Sequence, residues 1–269
     1  MRRPVISNVI KFELLQNSPE VNMGGRTALI TGASRGLGAG IALELGAAGY
    51  RVAVNYVRGV EGAANVCKKI IDAGGEAQVF QADVRDEAEV DRLVSEVEAT
   101  FGHVGVLVVN ATGPQPMLSI EQQTWQSYLD QLEFFVKSPL LLLKRTLPGM
   151  RSGRFGRVIQ IGSEVMELGN PRFANYVAAK GAQLGQTRSW ARELGPDGIT
   201  VNLVAPGWIP VERHATADKD ELAAYTRGVP LGYQGQAQDI GKMVAYLASD
   251  GASFVTGQKF AVNGGNTLC

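Results

Sequence analysis

The sequence predicts an α/β fold, a doubly wound parallel sheet with helices packed on both faces, and three observations lead there. Short apolar runs alternate with helix-length amphipathic stretches along most of the chain, the pattern made by parallel strands joined through right-handed crossovers. A glycine cluster, Gly32-Ala33-Ser34-Arg35-Gly36-Leu37-Gly38, stands between the first such run and the first helical stretch. The composition, 45% hydrophobic and 19% charged over 269 residues, suits a packed core in one large domain.

Taken in order, residues 27–31 form a short β-rich run, and the helix after the glycine cluster passes through Ile41, Leu43 and Leu45 to a stop at Gly49. Residues 51–55 read as a second strand and 60–73 as a helix closed by Gly74-Gly75. A third strand (77–81), a third helix (87–101) and a fourth strand (106–110) follow. Residues 124–151 are helical in pattern, with a bend or boundary required near Pro139. Strand 157–161, helix 174–194 and strand 200–205 continue the alternation. Residues 208–230 break it, and a long excursion beside a sheet edge reads as a lid. Helix 237–248 and strand 259–262 complete the chain, with no repeat and no linker. Residues 26–269 therefore read as a single domain, after an N-terminal extension at 1–25 in which Met23 is a candidate start.

Composition also narrows the function. Lys plus Arg number 26 and Asp plus Glu number 26, so no excess charge draws nucleic acid or an anionic membrane. The two cysteines, Cys67 and Cys269, and the two histidines, His103 and His214, show no CxxC or HxxxH spacing, and neither a metal site nor a disulfide framework is expected. Asn8, Lys11 and Glu13 interrupt the only apolar stretch that begins like a signal peptide, and no segment is long enough for a membrane span, so a cytoplasmic protein is expected.

The glycine cluster sits in the strand–loop–helix context that dinucleotide binding requires. Glycine permits the tight turn and the approach of backbone to a pyrophosphate, whose charge the helix N-terminus attracts. At the end of the second strand, an acid would accept from a free ribose 2′-OH and repel a 2′-phosphate. This chain has Asn55 there and Arg58 beyond it, with Arg35 in the loop, so NADP is favoured over NAD.

Tyr176-Val177-Ala178-Ala179-Lys180 places a phenol and an ammonium on one helix face. A lysine charge favours phenolate, which fits a tyrosine for proton transfer in both directions. Of the seven tyrosines, Tyr176 alone has lysine four residues on. Ser163 follows the fifth strand, where open parallel sheets place ligands, and its hydroxyl suits holding a carbonyl oxygen.

With these residues in place, the chain resembles the short-chain dehydrogenase/reductase family over about residues 26 to 265. TGASRGLG at 31–38, Asp83-Val84, Ser163, YVAAK at 176–180, Asn202 with Pro206-Gly207, and VTGQKFAVNGG at 255–265 match in order. The resemblance implies a seven-stranded Rossmann-type sheet, a homotetramer, and hydride transfer between the nicotinamide and a carbonyl or alcohol. It implies Tyr176 as general acid or base, Ser163 orienting the carbonyl, and Lys180 on the nicotinamide ribose. Cofactor contacts would come from Gly32, Ser34, Arg35, Gly36, Leu37, Gly38, Asn55, Arg58, Asp83, Val84, Asn110, Ala111, Pro206, Gly207 and Ile209. Within the family, the 3-oxoacyl-carrier-protein reductases look most similar.

Three departures stand out. Thr112 follows Asn110-Ala111 where the family carries glycine, and Val211 replaces a threonine that contacts cofactor. The asparagine of the family's proton relay is missing: counting from Trp125 gives Leu132, and counting back from Pro148 gives Phe135. Gln131, Glu133 or water would take its place. An acidic carrier protein calls for basic residues at the entrance; Arg154 is a candidate, but Asp197 stands where a second is wanted. The alternatives are a nucleotide-binding sensor or scaffold, and a lyase or isomerase using transient oxidation. The apolar residues of 124–151 and 174–194, among them Phe134, Phe135, Leu184 and Trp190, are expected to serve a subunit contact.

Overall fold

The computed structural model describes residues 25–212 and 218–268. Met23 and nearly all of the N-terminal extension, His214 and Cys269 lie outside the described residues.

The chain opens with β1 (Thr27–Ile30), α1 (Gly36–Ala47), β2 (Arg51–Tyr56), α2 (Val60–Asp72), β3 (Glu76–Gln81), α3 (Glu87–Phe101) and β4 (Val104–Val109). The second half runs α4 (Trp125–Leu132), α5 (Ser138–Gly153), β5 (Gly156–Ile161), α6 (Val165–Leu168), α7 (Ala174–Leu194), β6 (Ile199–Pro206), α8 (Lys219–Gly228), α9 (Ala237–Ala248) and β7 (Lys259–Val262). The strands make one seven-stranded sheet in the order β3-β2-β1-β4-β5-β6-β7, with every adjacent pair parallel. The expected sheet is therefore present, and the excursion at 208–230 contains α8.

Strand alternation sends side chains to two separate cores. Ala28, Ile30, Val106 and Val108 pack on one face with α1, α2 and α9. Leu29, Leu107 and Val109 pack on the other with α3, α5 and α7. Both faces are covered, which is why the central strands read as continuous apolar runs. Each fully buried aliphatic side chain contributes about 1.5–3 kcal/mol, so the strands anchor the loops at their ends.

The helix expected over 124–151 is two helices joined by a π-helical turn at Glu133–Lys137. Gln186 on α7 donates to the Val136 carbonyl at 3.0 Å, replacing a backbone bond that the wider turn gives up. Pro139 falls in the first turn of α5, where its missing N–H costs nothing. Phe135 is buried in the chain's own core and Trp190 packs against it, so these two are not spare surface for a subunit contact. The exposed large apolar side chains include Trp125, Leu140 and Phe254.

Candidate active site

Strand order reverses between β1 and β4, and the loops leaving the C-terminal ends of the strands open there into a cleft. The sequence-selected residues collect along that edge. The glycine loop follows β1, Asp83-Val84 follow β3, Asn110-Ala111 follow β4, Ser163 follows β5, and Gly207 and Ile209 follow β6.

The glycine loop is clipped in place by its neighbours. Thr31 Oγ1 accepts from the backbone N–H groups of Asn110 (2.9 Å) and Ala111 (3.0 Å). The Asn110 amide donates back to the Thr31 and Gly32 carbonyls at 2.9 and 3.1 Å. A Cβ on Gly38 would lie 2.4 Å from the Gly32 oxygen and 2.6 Å from Asn110 Nδ2, so this helical position has no room for a side chain. At the head of α1 no side chain caps the helix and the first turn carries no acid. Open N–H donors, a positive dipole end and a close-approaching backbone fit the pyrophosphate of a dinucleotide.

Asn55 is tied into the fold. It is buried, its Oδ1 accepts from Gly32 N–H (3.2 Å), and its amide donates to the Phe80 (3.3 Å) and Ala82 (3.0 Å) carbonyls. Its side chain therefore braces the glycine loop against the end of β3. The start of α2, just after Arg58, does lie against that loop, since a Cβ on Gly62 would meet the Ser34 carbonyl at 2.7 Å. Arg35 and Arg58 are both exposed on this rim. Asp83 is gripped by the Arg85 fork, at 3.0 Å to Nε and 2.6 Å to Nη2, and the Arg85 hydrogen bonds hold its carboxyl below the usual range.

Tyr176 is 7% exposed, its ring wedged edge-on between Phe135 (5.5 Å) and Phe173 (5.4 Å). Lys180, one turn later, is buried with Nζ 5.7 Å from the Tyr176 ring centroid. That ammonium donates to the Ile161 carbonyl at 2.6 Å, two residues before Ser163, and ties α7 to the end of β5. Ser163 Oγ accepts from the Val165 N–H at 3.3 Å.

The surroundings of Lys180 bear on the relay. Glu133 turns outward to Arg85 (3.6 Å) and Lys137 (4.0 Å), and Gln131 donates to the Pro114 carbonyl at 2.9 Å. Gln183 is a side-chain partner of Lys180: its Oε1 accepts from Nζ at 3.2 Å, while the Phe135 ring centroid lies 3.8 Å from the same nitrogen. Gln183 is fully buried and its Nε2 has no hydrogen-bond partner. Its spacing, three residues after Lys180, was a readable signal.

Arg154 stands just before β5, at the opposite end of the strand from Ser163, and Asp197 is paired with Arg151 at 2.7 Å. These residues do not gather at the cleft. A cavity of about 490 Å³ opens beside Gly36, between the start of α1 and residues 210–212 and 234–238. Val211 lines it, leaving that wall without the hydroxyl the family pattern supplies. Among the described residues no helix is long and apolar enough to cross a membrane, and no His, Cys, Asp or Glu group is placed to hold a metal.

Comparison with known proteins bears on this geometry. A family model described as enoyl-(acyl carrier protein) reductase matches residues 32–267. The chain is 42% identical to a 3-oxoacyl-[acyl-carrier-protein] reductase of Staphylococcus aureus over 243 residues, 89% of this chain and 97% of that one. It is 38% identical to the Escherichia coli protein of the same name over 248 residues, 91% and 98% of the two chains. A solved mutant short-chain dehydrogenase/reductase of Serratia marcescens superposes with a TM-score of 0.85 at 31% identity, covering 91% of this chain and 99% of that one. A dehydrogenase/reductase from Sinorhizobium meliloti gives 0.84 at 34%, covering 92% and 97%.

Proposed function

We propose, from the premise that the chain belongs to the short-chain dehydrogenase/reductase family of oxidoreductases, that it is an NADP-dependent reductase of carbonyl compounds whose proton donor is Tyr176. One observation carries the reading. The Lys180 ammonium lies 5.7 Å from the Tyr176 ring centroid and is bonded to the carbonyl two residues before Ser163, which supports a site built from phenol, ammonium and hydroxyl at this strand end.

When bound, NADPH supplies the hydride. The chain's own residues do the rest. The first-turn N–H groups of α1 and the loop around Gly32 and Gly38 seat the pyrophosphate, and Asn110, Ala111, Pro206, Gly207 and Ile209 line the way to the nicotinamide. Arg35 and Arg58 meet the 2′-phosphate. Asp83 and Val84 flank the adenine. Ser163 donates to the carbonyl oxygen and orients it. Tyr176 gives its phenolic proton to that oxygen as negative charge develops on it. Lys180 stabilises the phenolate left behind and reaches the ribose, with Gln183 accepting from its ammonium on the inner side. Residues 26–269 act as one domain, assembled as a homotetramer through surface that includes Trp125, Leu140 and Phe254.

The relatives' names make a 3-oxoacyl thioester the first substrate to test. Purified protein should consume NADPH with a 3-oxoacyl thioester or another ketone from a panel. Tyr176→Phe should still bind NADPH while losing ~10²–10⁴-fold in kcat. A Tyr176→Phe protein that turns over at the wild-type rate refutes the assignment. A wild type that binds NADPH and reduces nothing on the panel points to the sensor reading instead.

A further inference from the structure

Glu164, the residue directly after Ser163, is 3% exposed, and among the described residues no cation pairs with it. A buried carboxylate persists only if its oxygens are satisfied. Here the donors come from distant parts of the chain. Tyr225 on α8 donates its hydroxyl to Oε1 at 2.6 Å. Asn263 and Asn266, beyond β7, donate their amides to Oε2 at 2.9 and 3.1 Å. The Glu164 N–H donates to the Pro206 carbonyl at 3.0 Å, adding the end of β6 to the same node.

The node extends toward the cleft. Tyr225 Oη also accepts from the Trp208 N–H at 2.8 Å, giving a chain from Trp208 through Tyr225 to Glu164. The indole and phenol rings meet edge-on at 5.6 Å. Gly207 is what lets the phenol in, because a Cβ there would lie 2.4 Å from Tyr225 Oη and 2.9 Å from Asn263 Cβ. Helix α8 buries none of its residues, so packing does little to set its position. Gln234 also ties it, donating to Thr226 Oγ1 at 3.0 Å and to the Leu222 carbonyl at 3.5 Å. Burial, then the bond to Glu164, raise the Tyr225 pKa, so the phenol keeps the proton it donates.

We propose that Glu164 and Tyr225 are positioning residues forming a latch. The carboxylate beside Ser163 fixes helix α8, the Trp208 wall and the segment 263–266, so the pocket for the substituents on the carbonyl carbon is shaped before substrate arrives. The catalytic consequence rests on the carbonyl-reductase reading above, whereas the latch itself does not.

Tyr225→Phe tests it, because the ring stays and only the hydroxyl linking Trp208 to Glu164 is lost. Hydrogen–deuterium exchange should quicken roughly tenfold at the Trp208 amide and across residues 219–228, the scale of one or two lost buried hydrogen bonds. Exchange in α1 should be unchanged. KM for a reducible ketone should rise roughly tenfold while kcat stays within about threefold and NADPH affinity is unaltered. Glu164→Gln should move the same quantities the same way, and Tyr225→Phe decides the matter if that variant does not fold. Unchanged exchange at Trp208 and 219–228 overturns the latch, whether or not any ketone is reduced. Faster exchange with KM unchanged and kcat reduced overturns its positioning role. A wild type that reduces no ketone overturns the functional reading alone, and the exchange experiment still decides the latch.

Discussion

Replacing Gly38 with alanine puts one methyl group where three neighbours already sit. The new Cβ would lie 2.4 Å from the Gly32 oxygen and 2.6 Å from Asn110 Nδ2, and 2.9 Å from Ala33 Cα. Two of those atoms are backbone, so the glycine loop must move by about an ångström. That movement breaks the Asn110 bonds to the Thr31 and Gly32 carbonyls, worth about 0.5–1.5 kcal/mol each. Overpacking adds about 1–3 kcal/mol, while alanine's better helix propensity returns about 1 kcal/mol. A net loss near 3 kcal/mol corresponds to a melting temperature lower by roughly 6–12 °C for a chain of this size. The loop that moves is the one proposed to seat the pyrophosphate, so NADPH affinity should fall at least tenfold, by about 1.4 kcal/mol. Thermal melts with and without NADPH, together with a fluorescence titration of the cofactor, read both quantities. A Gly38→Ala protein that melts within a degree or so of wild type and binds NADPH equally well would refute the reasoning.

Arg35→Ala and Arg58→Ala should each weaken NADPH by about 1.5–3 kcal/mol and leave NADH nearly unaffected; calorimetry showing equal losses for both cofactors would count against the phosphate assignment. Gln183→Leu removes the acceptor on the inner side of Lys180, and should lower kcat about tenfold and displace its pH profile; rate and profile identical to wild type would show that Gln183 is only a packing residue. Burial pushes the Cys67 thiol up to about 11 from 9.0, so in a Cys269→Ser background at pH 8 it should react with a disulfide reagent about a hundredfold more slowly than a free thiol. Because the folded value is the raised one, the stability it contributes is present below pH 9 and is lost as pH rises through 11; a Cys67→Ala protein with the same alkaline limb in its stability curve would contradict this.

Much of this was legible in the residues, for physical reasons. The alternation of strand and helix shows in sequence because a parallel sheet covered on both faces needs apolar runs such as Val104–Val109, bounded by turns. The glycine loop and the Tyr176–Lys180 pair are local, so their spacing can be read directly. Contacts between residues far apart in the chain were not legible. Asn55 was read by its place at a strand end, yet its amide is claimed by Phe80 and Ala82 from the next strand. Arg154 was a candidate for the entrance because it is basic, but a strand separates it from Ser163 and sets the two at opposite ends. Glu164 carried no signal at all, since its partners lie 61, 99 and 102 residues away.

The π turn at Glu133–Lys137 matters to anyone who exchanges segments between this chain and its relatives. A π turn holds about one residue more than an α turn, so deleting a single residue there would restore regular helix and rotate α4 by about 100° against α5. Phe135 would then leave the Lys180 ammonium, or Gln131 would leave the Pro114 carbonyl, since one rigid helix could not satisfy both contacts. Gln186, shaped to the wider turn, would face a carbonyl already bonded within the helix. Residues 131–139 and Gln186 are accordingly one transferable unit although some fifty residues separate them: a graft that carries the helix without the glutamine, or the glutamine without the extra residue, would bury a polar group with nothing to bond.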